Sequence, residues 1–237
     1  MKNCSICNNI KEKAVSLRSK ICDLKSEKCK NCKIKKFFQK CTYQVDIIGE
    51  KIAKLGISAN LVTLTGFIIG VSAINFISLE MYGYALIAIL TNRLFDALDG
   101  AVARAKGITN FGIFFDATLD YIFYAGVIFG FAWANPDKNA VAACFLLLAF
   151  TSSAVAILAY AVIAYKNEEK LEINKSPFYL GGIAQGSETL IALIIFCLMP
   201  GIFSSVAIIF GILCFIKTLS TIATAYYNFT IQVKNEK

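Results

Sequence analysis

Six apolar runs, joined by short polar segments, leave this chain few folds to choose from. They cover roughly residues 58–79, 82–104, 112–134, 139–165, 178–199 and 202–227. About 20 apolar residues at about 1.5 Å each cross the hydrocarbon core of a bilayer as a helix. In lipid, each backbone N–H and C=O must find its partner within the protein, which a continuous apolar run achieves only as a helix. A chain that is 57% apolar, with only 3 Pro, also lacks the composition of a soluble domain. The expected fold is therefore an all-α integral membrane protein with six transmembrane helices.

Charge sets the orientation. Residues 1–54 hold 14 Lys/Arg against 5 Asp/Glu, and the remainder holds 10 against 11. The basic N-terminal arm, the loop carrying Arg104 and Lys106, and Lys166, Lys170 and Lys175 all fall on one side, whereas the opposite loops offer little beyond Lys138. By the positive-inside rule that shared side is cytoplasmic, and six spans put both termini there. The first apolar run begins only after residue 54, so no signal peptide is expected and the first span serves as its own insertion signal.

Four segments follow. Residues 1–41 form a basic, Cys-rich cytoplasmic arm holding Cys4, Cys7, Cys22, Cys29, Cys32 and Cys41, six of the nine cysteines. Cys4 with Cys7 and Cys29 with Cys32 resemble the two knuckles of a Zn²⁺ site, although the 21 residues between them exceed the usual gap. The alternative is a loosely structured arm with reduced thiols. No nucleic-acid recognition fold is visible in it, so no nucleic-acid partner is expected. Residues 42–56 place Val45, Ile48, Ile52 and Leu55 at helical spacing, an amphipathic helix lying at the membrane interface or packed on the protein body. Residues 57–230 carry the six-helix domain, and 231–237 are a short C-terminal tail.

The chemistry concentrates between the second and third spans. Asp96, Asp99, Gly100, Ala103 and Arg104 end one apolar run; Gly112, Asp116 and Asp120 begin the next. The acids lie at i, i+3 and i, i+4, so each pair shares one face of its helix. A hairpin of the two helices brings four carboxylates to one site, which like charges tolerate only when protons or cations offset them. Hard oxygen ligands of this kind suit Mg²⁺, Mn²⁺ or Ca²⁺. There is no His in the chain, which excludes histidine catalysis and histidine ligation.

These residues resemble the signature of the CDP-alcohol phosphotransferases (CDP-alcohol phosphatidyltransferases), D-x2-D-G-x2-A-R, a spacer, then G-x3-D-x3-D. Every fixed residue is present; the spacer, residues 105–111, has seven residues where the family usually has eight. A further resemblance, to a bacterial inner-membrane subgroup, runs through Phe178, Gly181 and Gly182 and through Gly186, Ser187 and Glu188. The resemblance implies that Asp96, Asp99 and Asp116 hold Mg²⁺ or Mn²⁺, and that Asp120 assists them or takes the proton of the acceptor hydroxyl. It implies that Arg104 meets the diphosphate, that Gly100 and Gly112 admit the nucleotide close to the backbone, and that Asn60, Thr63 and Ala103 lie near it. The substrates would be CDP-diacylglycerol, or another CDP-alcohol, and an alcohol acceptor, with CMP released. A homodimer in the bacterial inner (plasma) membrane, its active site facing the cytoplasm, is expected on the same grounds.

The acceptor is less constrained. Arg93, Lys175 and Glu188 are candidates for its pocket, and Glu188 and Lys217, inside the fifth and sixth spans, are candidates to pair with each other or to line it. Family members using phosphorylated acceptors often carry Lys or Arg after the fourth Asp, where this chain has Tyr121. That favours a neutral or zwitterionic alcohol; glycerol-3-phosphate is the alternative if another basic residue substitutes. The competing class is a cation-coupled transporter using the Asp cluster, which would distribute polar groups through the membrane depth and leaves the Gly-x-x-Ala-Arg segment without a role.

Overall fold

The computed structural model describes residues 33–166 and 186–232, and among these it is entirely helical. The order is α1 (Lys33–Lys54), α2 (Ala59–Ser78), α3 (Tyr82–Lys106), α4 (Asn110–Ala134), α5 (Pro136–Lys166), α6 (Gly186–Leu198), a 3₁₀ turn at Pro200–Ile202, α7 (Phe203–Tyr226) and a π-helical turn at Tyr227–Gln232. Cys4, Cys7, Cys29, Cys32, Lys175, the segment around Phe178 and the last five residues lie outside the described residues.

Four helical stretches are long and apolar enough to cross a membrane: α2, α4, α5 from Pro136 to Ala164, and Pro200–Thr230 containing α7. Six were expected. The α3 helix has 25 residues, as many as α4, but its polar strip takes it out of that set. The α6 helix has 13 described residues.

The amphipathic segment differs from expectation. Among the described residues its helix already runs from Lys33, ahead of residue 42, because the Lys-, Phe- and Gln-containing residues before Thr42 include no Gly or Pro to stop it. It also packs on the protein. Gly49 lies against α3 so closely that a Cβ there would collide with the Cβ of Ala101. Val45 and Ile52 are half-buried, while Ile48 and Leu55 stay exposed.

Helix α2 is capped at its start, with Ser58 Oγ accepting from the Leu61 N–H at 3.3 Å. It runs close to α3 because Gly66 and Gly70 face it: a Cβ at Gly66 would lie 2.5 Å from Phe95 Cβ, and one at Gly70 2.8 Å from Asn92 Nδ2. The α3–α4 connection is only residues 107–109, shorter than the expected loop. Gly107 turns the chain at φ 104°, in the left-handed region, and Thr109 Oγ1 caps α4 by accepting from the Gly112 N–H at 3.0 Å. The next turn is shorter than expected as well. Pro136 opens α5 rather than sitting in a loop, since its fixed φ suits a first helical position, and Asn135 Oδ1 accepts from the Lys138 N–H at 3.2 Å.

Far from the acidic residues, the C-terminal end of α4, the start of α5, α6 and the start of α7 close around aromatic rings. Phe131 stacks on Phe203 at 4.7 Å, and Phe196 meets Phe203 edge-on at 4.8 Å. Asn139 Nδ2 donates to the Phe131 carbonyl at 2.9 Å, and Ser204 Oγ to the Lys138 carbonyl at 2.8 Å. This end is packed with aromatic rings and cross-linked by hydrogen bonds.

Candidate active site

The short α3–α4 connection turns the chain back, both helices pack on α2, and the two acidic pairs meet. Asp96, Asp116 and Asp120 each bring a carboxylate oxygen to within 4.8 Å of the others'. Asp99 stands beside this trio, buried, and borders the same gap between α2, α3 and α4. The gap has a volume of about 10 Å³, room for one water-sized sphere. Asp99 Oδ2 and Asp116 Oδ1 are buried with no hydrogen-bond partner among the described residues. Buried carboxylate oxygens left without donors are costly, and a divalent cation satisfies them. The donor set is all oxygen and the gap is ion-sized, so the four acids fit a hard divalent cation.

Arg93 is the counter-charge already present. Its Nη2 donates to Asp120 Oδ1 at 2.6 Å and its Nη1 to Asp120 Oδ2 at 3.2 Å, while Asp96 lies 3.6 Å away. Nη1 also donates to Tyr124 Oη at 2.7 Å, and Nε to Asn92 Oδ1 at 3.0 Å. Asn92 is in turn anchored on α2, donating to the Gly66 carbonyl at 2.9 Å. The guanidinium packs over the rings of Phe123 and Tyr124 at 5.0 and 4.9 Å. The sequence offered Arg93 as a residue of the acceptor pocket. In the structure it orients Asp120. The spacing from Arg93 to Asp96 hinted at this, but Tyr124 carried no signal that sequence reasoning used.

A cavity of about 480 Å³ opens on the other side of Asp99 and Asp116. Asn60, Thr63, Gly100, Ala103, Arg104 and Gly112 all line it, so the residues expected near the nucleotide come together. The size suits a ligand site. A Cβ at Gly112 would stand 3.3 Å from Asn60 Oδ1 and 3.0 Å from Thr109 Oγ1, so glycine keeps that wall low. Arg104, at the rim, is paired with Asp46 of α1 at 2.6 Å.

A second cleft, of about 330 Å³, lies beyond Asp120 between α4, α5 and α7. Asp120, Tyr121, Tyr124, Phe150, Ser153 and Lys217 line it. The Tyr121 hydroxyl is buried without a hydrogen-bond partner among the described residues, and its ring stacks on Phe150 at 5.3 Å. Glu188 of α6 lies within electrostatic reach of Lys217. Glu188 does not itself line this cleft, whereas Lys217 does.

Comparison with known proteins points the same way. A family model described as CDP-alcohol phosphatidyltransferase matches residues 56–225. Over 196 residues the chain is 41% identical to the inner membrane protein YnjF of Escherichia coli K12, covering 82% of this chain and 92% of that protein. Over 100 residues it is 37% identical to the archaetidylinositol phosphate synthase of Pyrococcus horikoshii, covering 42% of this chain and 53% of the relative. Among solved structures, it resembles the Mycobacterium tuberculosis phosphatidylinositol phosphate synthase PgsA1 with CDP-DAG bound. The TM-score is 0.62 at 22% identity, over 77% of this chain and 93% of that one. At that identity the likeness concerns the fold.

Proposed function

The chain belongs to the CDP-alcohol phosphatidyltransferase family, and from that premise we propose that it moves a phosphatidyl group from CDP-diacylglycerol, or a related CDP-alcohol, to an alcohol, releasing CMP. One observation carries the reading: two cavities of different character meet at the acidic cluster. Asp116 borders both the ion-sized gap and the 480 Å³ cavity, and Asp120 borders both the gap and the 330 Å³ cleft. Donor diphosphate and acceptor hydroxyl would thus approach the cluster from different sides. The Mycobacterium tuberculosis structure with CDP-DAG bound, similar in fold, supports a CDP-linked donor.

In the reaction the acceptor oxygen forms a bond to the β-phosphorus of the donor, the phosphorus bonded to the lipid. The bond from that phosphorus to the oxygen of CMP breaks, and the hydroxyl proton must leave. Asp96, Asp99, Asp116 and Asp120 would hold Mg²⁺ or Mn²⁺, which when bound neutralises diphosphate charge and stabilises the departing CMP oxygen. Arg104, always charged and forked, suits the diphosphate oxygens at the cavity rim. Gly100 and Gly112 leave the backbone open to the cytidine and phosphates. Asp120 is the member of the cluster that borders the acceptor cleft, so it is the carboxylate placed to take the proton. Arg93 occupies one direction on each of its oxygens and fixes its orientation, leaving a lone pair on each.

The acceptor cleft favours a neutral or zwitterionic alcohol. Tyr121 and Phe150 give it an aromatic wall, and the reach of Glu188 offsets the charge of Lys217. Lys217 supports a second reading, with glycerol-3-phosphate as acceptor, which the phosphorylated products named for the two synthase relatives also favour. The cation-coupled carrier is disfavoured because the acids crowd one end of α3 and α4 while aromatic rings fill the other. The protein is an integral membrane protein. We place it in a bacterial inner membrane as a homodimer, both termini and the site on the cytoplasmic side, with support from the basic residues and the inner-membrane relative.

The test is CMP release by purified protein in detergent with CDP-diacylglycerol, Mg²⁺ or Mn²⁺, a panel of alcohols, and Asp116→Asn as control. Metal-dependent release stimulated by one alcohol, and absent in the variant, names the acceptor. No binding of the CDP lipid would overturn the reading.

A further inference from the structure

Helix α1 lies outside the residues 56–225 matched by the family model, yet it contacts Arg104, which lines the donor cavity. Two i, i+3 pairs meet where α1 crosses α3. Gly49 sits against Ala101, and one turn away on each helix Asp46 meets Arg104. The register is tight because Gly49 has no Cβ: any side chain there would strike Ala101 and move Asp46 off Arg104.

The contact has a consequence for Arg104. Its Nη2 donates to Asp46 Oδ1 at 2.6 Å. Its Nη1 lies back over the preceding turn, 3.3 Å from where a Cβ on Gly100 would stand, beside the cavity that Gly100 and Arg104 both line. Asp46 thus engages one edge of the guanidinium and leaves other N–H donors of its five facing the donor space. The Arg104 side chain is 54% exposed, so without a tether it would sample many rotamers in solvent. Charge balance points the same way, because the nearest acids on α3 and α4 would turn to a cation when one binds, leaving Asp46 as the carboxylate that holds Arg104.

We propose that Asp46 is a positioning residue for the donor site: α1 acts as a brace that holds the Arg104 guanidinium at the cavity rim, ready for the diphosphate of a CDP-linked donor. The inference rests on the proposed transferase reading, since it takes the ligand of the 480 Å³ cavity to be a nucleoside diphosphate.

The experiment is a double-mutant cycle on the full-length protein in detergent. CDP with Mg²⁺ serves as the soluble probe of the donor site, measured by isothermal calorimetry, beside KM and kcat for CDP-diacylglycerol. An exposed charge pair contributes modestly, so Asp46→Ala should weaken CDP binding, and raise the donor KM, by about two- to fivefold with kcat unchanged. Asp46→Glu should recover part of that. In an Arg104→Ala background, Asp46→Ala should change CDP affinity by less than about 1.5-fold, because its effect runs through Arg104. Equal losses in both backgrounds would mean that Asp46 only supports the fold, and tighter CDP binding in Asp46→Ala would mean that it competes with the ligand. Either overturns the inference while the transferase reading stands. Failure of the wild-type protein to bind CDP would overturn both.

Discussion

Replacing Arg93 with Met keeps most of the side-chain volume and removes the charge, and its effect should depend on the divalent cation. Arg93 is 12% exposed and holds Asp120, which is 30% exposed, through two hydrogen bonds, with Asp96, 37% exposed, beside it. The substitution also leaves Asn92 Oδ1 and Tyr124 Oη without their partner. Breaking a buried ion pair costs about 3–5 kcal/mol. Both carboxylates keep some water, which returns part of that, so about 2–3 kcal/mol is the expected loss without metal. For chains of about 150–250 residues this lowers Tm by roughly 4–12 °C. With Mg²⁺ at saturating concentration a second positive charge reaches the same carboxylates, and the loss should shrink to about half or less. The assay is thermal unfolding in detergent of wild type and Arg93→Met, each in chelator and in Mg²⁺. The wild type should gain from Mg²⁺, and the variant should gain more. An equal Tm deficit in both conditions would refute the reasoning, because Arg93 would then act through packing over Phe123 and Tyr124 rather than as counter-charge to the acids.

Other outcomes follow from the same geometry. Gly112→Val should weaken CDP binding about tenfold or more with little change in Tm, since its side chain would stand against Asn60 Oδ1 and Thr109 Oγ1 inside the donor cavity; calorimetry reads it. Lys217→Met should raise the KM for the acceptor while leaving the donor KM unchanged, because Lys217 lines only the cleft beyond Asp120 among the two cavities. Thr109→Ala should cost about 1 kcal/mol by removing the cap of α4, seen as a Tm lower by a few degrees.

Much of the site was legible in the sequence because its chemistry is local. Asp96, Asp99, Asp116 and Asp120 lie on two helices joined by a short loop, so helical spacing alone brought them to one end of a hairpin. Gly100, Ala103, Arg104 and Gly112 share those helices, and Asn60 and Thr63 join them from the first turns of α2. Relations between distant segments were not legible. Nothing in the spacing of Asp46 or Gly49 marked them as the face of α1 that docks on α3, because a charge and a glycine on an amphipathic helix read as solvent-facing. The partners of Arg93 could not be read from spacing, because Asp120 and Tyr124 stand 27 and 31 residues away. The start of α5 was not legible in the apolar run, which begins only at residue 139, because proline marks both loops and first helical positions, and only the capping bond from Asn135 separates them. Helix α3 shows the limit of hydropathy: its active-site strip removes the apolarity by which a span is recognised.

The two ends of the bundle answer to different forces, which explains how a membrane helix pair can carry four acids at all. Like-charged carboxylates held within 4.8 Å repel, and the orphaned oxygens of Asp99 and Asp116 add a desolvation cost. Phe67, Leu119 and Phe123 pack beside them, but the gap and both cavities leave much of that end open. Stability must come from elsewhere along the same helices. It comes from the far end, where Phe131, Phe196 and Phe203 are fully buried and Asn139 and Ser204 tie α4, α5 and α7 together. Packing at that end fixes the helices against one another, and the hairpin carries the constraint to the acids. The cluster is therefore held in place before any cation or substrate arrives. In the proposed reaction a site organised in this way would lose little freedom on binding, and more of the interaction with the donor diphosphate would remain to lower the barrier at phosphorus.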